Sequence, residues 1–135
     1  MIQGKIVVSG KRKSSVARAT IKEGNGIITI NKIDYKFLPL FRRLMIEEPL
    51  KIAKDILKDI DYDIDIKIRG GGIESGIEAA RLAIARALLE ASKSSELKKA
   101  FIAYDRNILV ADTRRKEAYK PGDSKARAKR QKSYR

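Results

Sequence analysis

The chain has 135 residues, enough for one hydrophobic core, and its 31 Lys and Arg against 17 Asp and Glu leave a net charge of +14. An excess of that size repels itself in a compact state unless a polyanion neutralises it, so the partner expected is a nucleic acid or an anionic membrane. With no Cys and no His, a disulfide framework, thiolate chemistry and the commonest general base are all excluded, and a reducing compartment, the cytosol, is the expectation.

The start, MIQGKIVVSGKRK, lacks a long apolar leader, and no window approaches the roughly 18 apolar residues of a membrane span, so a soluble, unprocessed protein is expected. Ile6 to Val8 and Val16 to Ile21 are rich in β-branched residues and read as two strands joined by a basic connector, Lys11, Arg12 and Lys13. The alternation of the second strand sets Arg18 on the face opposite Ala17 and Ala19. Asn25 with Gly24 and Gly26 supplies a hairpin turn into a third strand, Ile27 to Ile30.

Around Pro49, Glu47 and Glu48 precede an apolar stripe of Leu50, Ala53, Ile56, Leu57 and Ile60. This predicts a helix of about a dozen residues with Pro near its start and acids at its positive end. DIDYDIDIKI, from Asp59 to Ile68, then alternates acid and apolar residues as a strand with one face in water does. Asp59, Asp61 and Asp63 share the first spacings of a calcium loop. Ile64 stands where the sharp turn needs Gly, and Gly70 where a bidentate Glu belongs, so the expectation is a solvated strand face and no metal.

Gly70 to Gly72 break the strand. Ile73, Ile77, Ala80, Ile84, Leu88 and Ala91 trace one face of a long helix, and Ser94 or Ser95 caps another that carries Leu97, Ala100, Phe101 and Tyr104. GGGIESG lacks the spacing of a nucleotide loop. Two readings stay open: a tight turn where backbone passes backbone, or close approach to an RNA phosphate. Ser14 and Ser15 beside Lys13 read as a phosphate contact or a solvated turn, since no nucleophile, base and orienting group come together anywhere and no catalysis is expected.

Thr113 to Arg135 holds 10 basic and 2 acidic residues, a net +8, more than half of the excess. Its last stretch, KARAKRQKSYR, contains no Val, Ile, Leu, Met or Phe. Such a segment cannot offset backbone ordering entropy of roughly 1–2 kcal/mol per residue, so its order must come from a partner. A membrane-seeking helix would need Leu, Phe or Trp on one face, and the tail has none. Phosphate-dominated binding of nucleic acid is the better reading, with Tyr119 and Tyr134 placed among the cations to stack on unpaired bases.

VSGKRKSSVARATI, GNGIITIN, GGG before IARALLEA, DRNILVADTRRKE and the closing QKSYR together resemble the ribosomal protein S nine family of the small subunit, in its archaeal form. The pattern departs at Ile77 and Glu78, where the family commonly has Gln-Ala after Gly, and at Arg130, where archaeal relatives frequently carry an aromatic. The resemblance implies an α+β fold, a four-stranded sheet with helices packed on one face, as in the second domain of ribosomal protein S five. It implies a globular rRNA-binding domain over residues 1–112 and an extended basic tail over 113–135.

It further implies a structural constituent of the small ribosomal subunit, in the cytoplasm, whose partners are small-subunit rRNA, P-site tRNA and neighbouring proteins of the subunit head. No membrane, small-molecule substrate, cofactor or metal is implied. Carried over, rRNA contact falls to Lys11, Arg12, Lys13, Arg18, Arg114, Arg115, Lys125, Arg127, Lys129 and Arg130, and P-site tRNA contact to Lys132, Tyr134 and Arg135. Because fold and charge do not fix function, an RNA-processing factor such as a ribonuclease protein subunit is the alternative. An architectural DNA-binding protein is a third, though no groove-reading element is recognisable.

Overall fold

In a computed structural model the structure describes residues 4–119 together with Pro121 and Ala126. In chain order the elements are β1 (Ile6–Arg12), β2 (Ser15–Glu23), β3 (Ile28–Ile30), β4 (Ile33–Asp34), a 3-10 turn (Tyr35–Phe37), α1 (Leu40–Leu57), β5 (Tyr62–Arg69), α2 (Ile73–Ser92), α3 (Ser95–Tyr104) and a second 3-10 turn (Arg106–Ile108). The sheet runs β1-β2-β5-β3-β4. All neighbours are antiparallel except β3 and β5, which are parallel and joined through β4 and the α1 crossover.

The α+β class is as expected, but the sheet has five strands, not four. The additional β4 is only two residues long, too short for a period-2 pattern to show. It is set by a two-residue turn, Asn31 and Lys32, both at positive φ (50° and 70°), and Asn31 Oδ1 accepts a hydrogen bond from the N–H of Ile68 at 2.9 Å.

One face of the sheet carries the core. Ala17, Ala19 and Ile21 of β2, Ile64 and Ile66 of β5 and Ile28 and Ile30 of β3 are buried with Ile77, Ala80, Ala83, Ile84 and Leu88 of α2. The predicted stripe of α2 holds from Ile77 to Leu88, while Ile73, in its first turn, is exposed. Gly10 lies where α2 crosses β1: a Cβ there would stand 2.3 Å from the Ala79 carbonyl and 2.8 Å from the Ala83 nitrogen, so helix and strand meet this closely only because the atom is missing.

α3 begins at the predicted cap, Ser94, whose side chain accepts from the Leu97 N–H at 3.3 Å. Its Leu97 and Phe101 are fully buried.

α1 corrects the expectation for Pro49. The helix starts at Leu40 and has 18 residues, so Pro49 lies in its interior and is buried with Ile46, Leu50 and Ala53. An interior Pro leaves the carbonyl four residues back unpaired and costs about 3 kcal/mol in an isolated helix. Packing of this buried face offsets that cost, as tertiary burial routinely does local propensity. Glu47 and Glu48 accordingly do not serve the helix N-terminus. Glu47 pairs with Arg43 and Lys51, and Glu48 with Arg81 (2.6 Å) and the hydroxyl of Tyr104 (2.8 Å).

Candidate nucleic-acid interface

β1 and β2 are longer than the sequence pattern showed, and their register pairs Arg12 with Ser15, leaving Lys13 and Ser14 as the whole turn. Lys11 and Arg12 are therefore not connector residues. They are consecutive strand residues, so their side chains leave opposite faces. Lys11 is exposed on the sheet's open face, opposite Val16. Arg12 turns to the helix side, where its Nε lies 2.5 Å from Glu78 and its Nη1 pairs with Asp112. Lys13 sits at the exposed tip with φ 52°, a left-handed conformation unusual for a residue with a Cβ.

Ser15 is 0% exposed, which corrects the expectation of a phosphate contact or solvated turn. Its Oγ lies 2.9 Å from the Gly70 carbonyl and 2.7 Å from Ser75 Oγ, and Ser75 Oγ accepts from the N–H of Gly72 at 3.1 Å. Of the two readings of the Gly triplet, the structure supports backbone passing close to the hairpin. The triplet docks on Ser14 and Ser15 and so holds the hairpin tip against the start of α2.

Asp63, in turn, is more than a solvated strand residue. Its Oδ1 accepts from the N–H groups of Asn25 (2.9 Å) and Ile27 (3.0 Å), and Lys22 stands 3.6 Å from Oδ2. The Ile27 bond, followed by that of Asn25 and the charge of Lys22, lowers the Asp63 pKa. The carboxylate closes the turn between β2 and β3.

The root of the tail returns to the hairpin. Arg86 donates from Nε to the Leu109 carbonyl and from Nη1 to the Ser9 carbonyl, both at 2.9 Å, tying the chain after α3 to β1. Asp112 is the next tie. Besides Arg12, it accepts from Arg114 Nε and from the Arg114 N–H, each at 2.8 Å. Arg115 donates to the Asp112 carbonyl at 2.7 Å. These ties bring Lys11, Arg12, Lys13 and Ser14 together with Arg114, Arg115 and Lys116 around a groove of about 680 Å³.

Arg114 is 82% exposed although paired, and Lys11, Lys13, Arg115 and Lys116 are exposed. Lys116 Nζ, which the sequence pattern did not single out, donates to the Tyr119 hydroxyl at 2.8 Å and lies 4.4 Å from its ring centre. Its position next to Arg114 and Arg115 in TRRKE was the available signal. Arg18 is exposed on the open face of the sheet, as its alternation implied. Lys125, Arg127, Lys129, Arg130, Lys132, Tyr134 and Arg135 lie outside the described residues.

Hydrogen bonds from the Arg114 side chain and backbone, and then from Arg12, hold the Asp112 carboxyl well below the usual carboxylate range. A depressed pKa of this kind contributes stability that is complete above the unfolded value, near 3.8, and is lost as pH falls toward the folded one. The stability of the wild type should therefore exceed that of Asp112→Asn by a constant margin from pH 7 down to about 4. The margin should shrink below that and vanish in stronger acid. Melting temperatures of the two proteins against pH test it, and a margin that grows on acidification contradicts it.

The fold and this surface define an α+β protein that presents one continuous cationic groove, built jointly by a hairpin and the root of a basic tail. Among the described residues no helix is long and apolar enough to cross a membrane. The sequence profile described as Ribosomal protein S9/S16 matches residues 10–135. The chain is 48% identical over 129 residues to the small ribosomal subunit protein uS9 of Methanococcus maripaludis, spanning 93% of this chain and 95% of the relative. To the protein of the same name from Thermoplasma volcanium it is 45% identical over 131 residues, 96% and 98% of the two chains. The chain belongs to the ribosomal protein S9/S16 family.

Proposed function

We propose that this chain is a structural constituent, not a catalyst, of the small subunit of the cytoplasmic ribosome. In this reading residues 1–112 form the globular body that binds small-subunit rRNA in the subunit head beside neighbouring proteins, and residues 113–135 form a tail that reaches the P-site tRNA. The observation that carries it is the convergence of Lys11 and Lys13 of the hairpin with Arg114, Arg115 and Lys116 on one groove. Such a surface holds a phosphate backbone by replacing its counterions.

Arg12, bonded to Glu78 and Asp112, acts in this reading mainly by fixing where the tail leaves the body. Along the tail, Lys125, Arg127, Lys129 and Arg130 meet rRNA. Arg135, supported by Lys132 and Tyr134, presents a planar fork to a tRNA phosphate.

Quantitative mass spectrometry of native small subunits after a moderate-salt wash should find one copy per subunit, since a protein interlocked with folded rRNA stays where a loosely held polycation leaves. Loss on washing would overturn the reading. Deleting Lys132–Arg135 should leave rRNA binding intact and speed P-site tRNA dissociation about tenfold, the scale of one charge-assisted hydrogen bond. Equal dissociation rates from full-length and truncated subunits would remove the tail's end from tRNA contact.

A further inference from the structure

On the open face of the sheet, β2 and β5 place Arg18 directly opposite Lys67, and Val16 directly opposite Arg69. These four residues line a concavity of about 230 Å³. Like charges facing each other across an antiparallel pair destabilise it, and no carboxylate among the described residues pairs with either of them. Arg18, Lys67 and Arg69 are exposed and have no ion-pair partner among the described residues.

The acids on the same face of β5 lie toward its other end and are already occupied, Asp63 by the turn N–H groups and Lys22, and Asp65 by the Thr29 hydroxyl at 3.0 Å. The face is therefore polarised, with its cations gathered near the hairpin. Lys11, opposite Val16 in the sheet and also lining the groove at the tail root, joins the two regions.

We infer that Lys67 and Arg69, with Arg18, form a second phosphate cradle on the open face of the sheet, over which an RNA backbone continues from the hairpin groove. The inference rests on the rRNA-binding reading and extends it to two β5 residues. An uncompensated cross-strand repulsion in a folded domain is a stability cost that a bound polyanion removes. An apolar surface such as a lipid is not matched by a face whose exposed hydrophobic residues near these cations are isolated valines, Val7 and Val16.

The test uses the full chain and in vitro transcribed small-subunit rRNA, with affinity measured across a salt series and melting temperature measured without RNA. Lys67→Glu should weaken rRNA binding about tenfold or more near 0.1 M salt and reduce the slope of log K against log salt by about one. It should also raise the melting temperature, because Arg18 gains an opposite charge. Arg69→Ala should lower the slope by a similar amount without lowering the melting temperature.

If both variants bind rRNA as the wild type does, the cradle is wrong while the rRNA reading stands. If the wild type does not distinguish this rRNA from an unrelated RNA of equal length, the rRNA reading falls and the cradle with it. A lower melting temperature for Lys67→Glu would make Lys67 a structural contact and overturn the inference as well.

Discussion

Gly71→Ala is expected to lower stability by about 2–5 kcal/mol. Two independent causes add. Gly71 has φ 65°, where a Cβ costs roughly 1–2 kcal/mol. That Cβ would also stand 2.0 Å from Ser15 Oγ and 2.9 Å from the Ser15 nitrogen. Ser15 is fully buried, so its hydroxyl cannot move out into water. It would have to abandon the Gly70 carbonyl and Ser75, bonds with a net worth of roughly 0.5–1.5 kcal/mol each.

Gly72→Ala is the control. Its φ is −92°, and the nearest atom to an added Cβ is Ser75 Oγ at 3.9 Å, so the change should stay within about 1 kcal/mol. For a domain of this size the first substitution should lower the melting temperature by about 10–20 °C and the second by only a few degrees. Equal shifts would show that the triplet does not brace the hairpin. Because the brace fixes the hairpin tip, a Gly71→Ala protein that remains folded should also bind RNA less tightly.

The triple substitution Lys11→Ala, Lys13→Ala and Lys116→Ala should weaken binding to small-subunit rRNA by about 10²-fold near 0.1 M salt, with the salt slope reduced by about two to three. These three cations line the groove and are exposed, and Lys11 and Lys13 make no ion pair among the described residues, so the fold should barely notice their loss. Unchanged affinity would move rRNA recognition away from the groove. Arg12 is excluded from the set on purpose: removing it would strand Asp112 and Glu78 and confuse a lost phosphate contact with a displaced tail root.

Parts of this arrangement are legible in the amino-acid sequence alone. Ala17, Ala19 and Ile21 alternate with Val16, Arg18 and Thr20 because a strand with one buried face can be written no other way, and β5 repeats the pattern in Ile64 and Ile66. The stripe of α2 is equally plain, since a helix 20 residues long carries several repeats of its 3.6-residue period. β4, with two residues, carries no repeat at all.

Pro49 misleads because its local preference, a position in the first turn, is outweighed by a buried face it shares with Ile46, Leu50 and Ala53. Lys67 and Arg69 stand in plain sight at the end of the acidic alternation. Only the pairing with β2 shows that Lys67 faces another cation instead of a carboxylate.

By itself the sequence determined the α+β class, the one-sided sheet, the cationic excess and its concentration in the last 23 residues, because composition and short-period patterning are local properties of a chain. The tertiary structure decided what each charge does. It separated Lys11 from Arg12 by the pleat of one strand and buried Ser15 under the Gly triplet. It also joined Arg12 to Asp112 across 100 residues, so that hairpin and tail root share a groove. Contacts between residues so far apart depend on how helices and sheet close around a common core, and no local pattern encodes that closure.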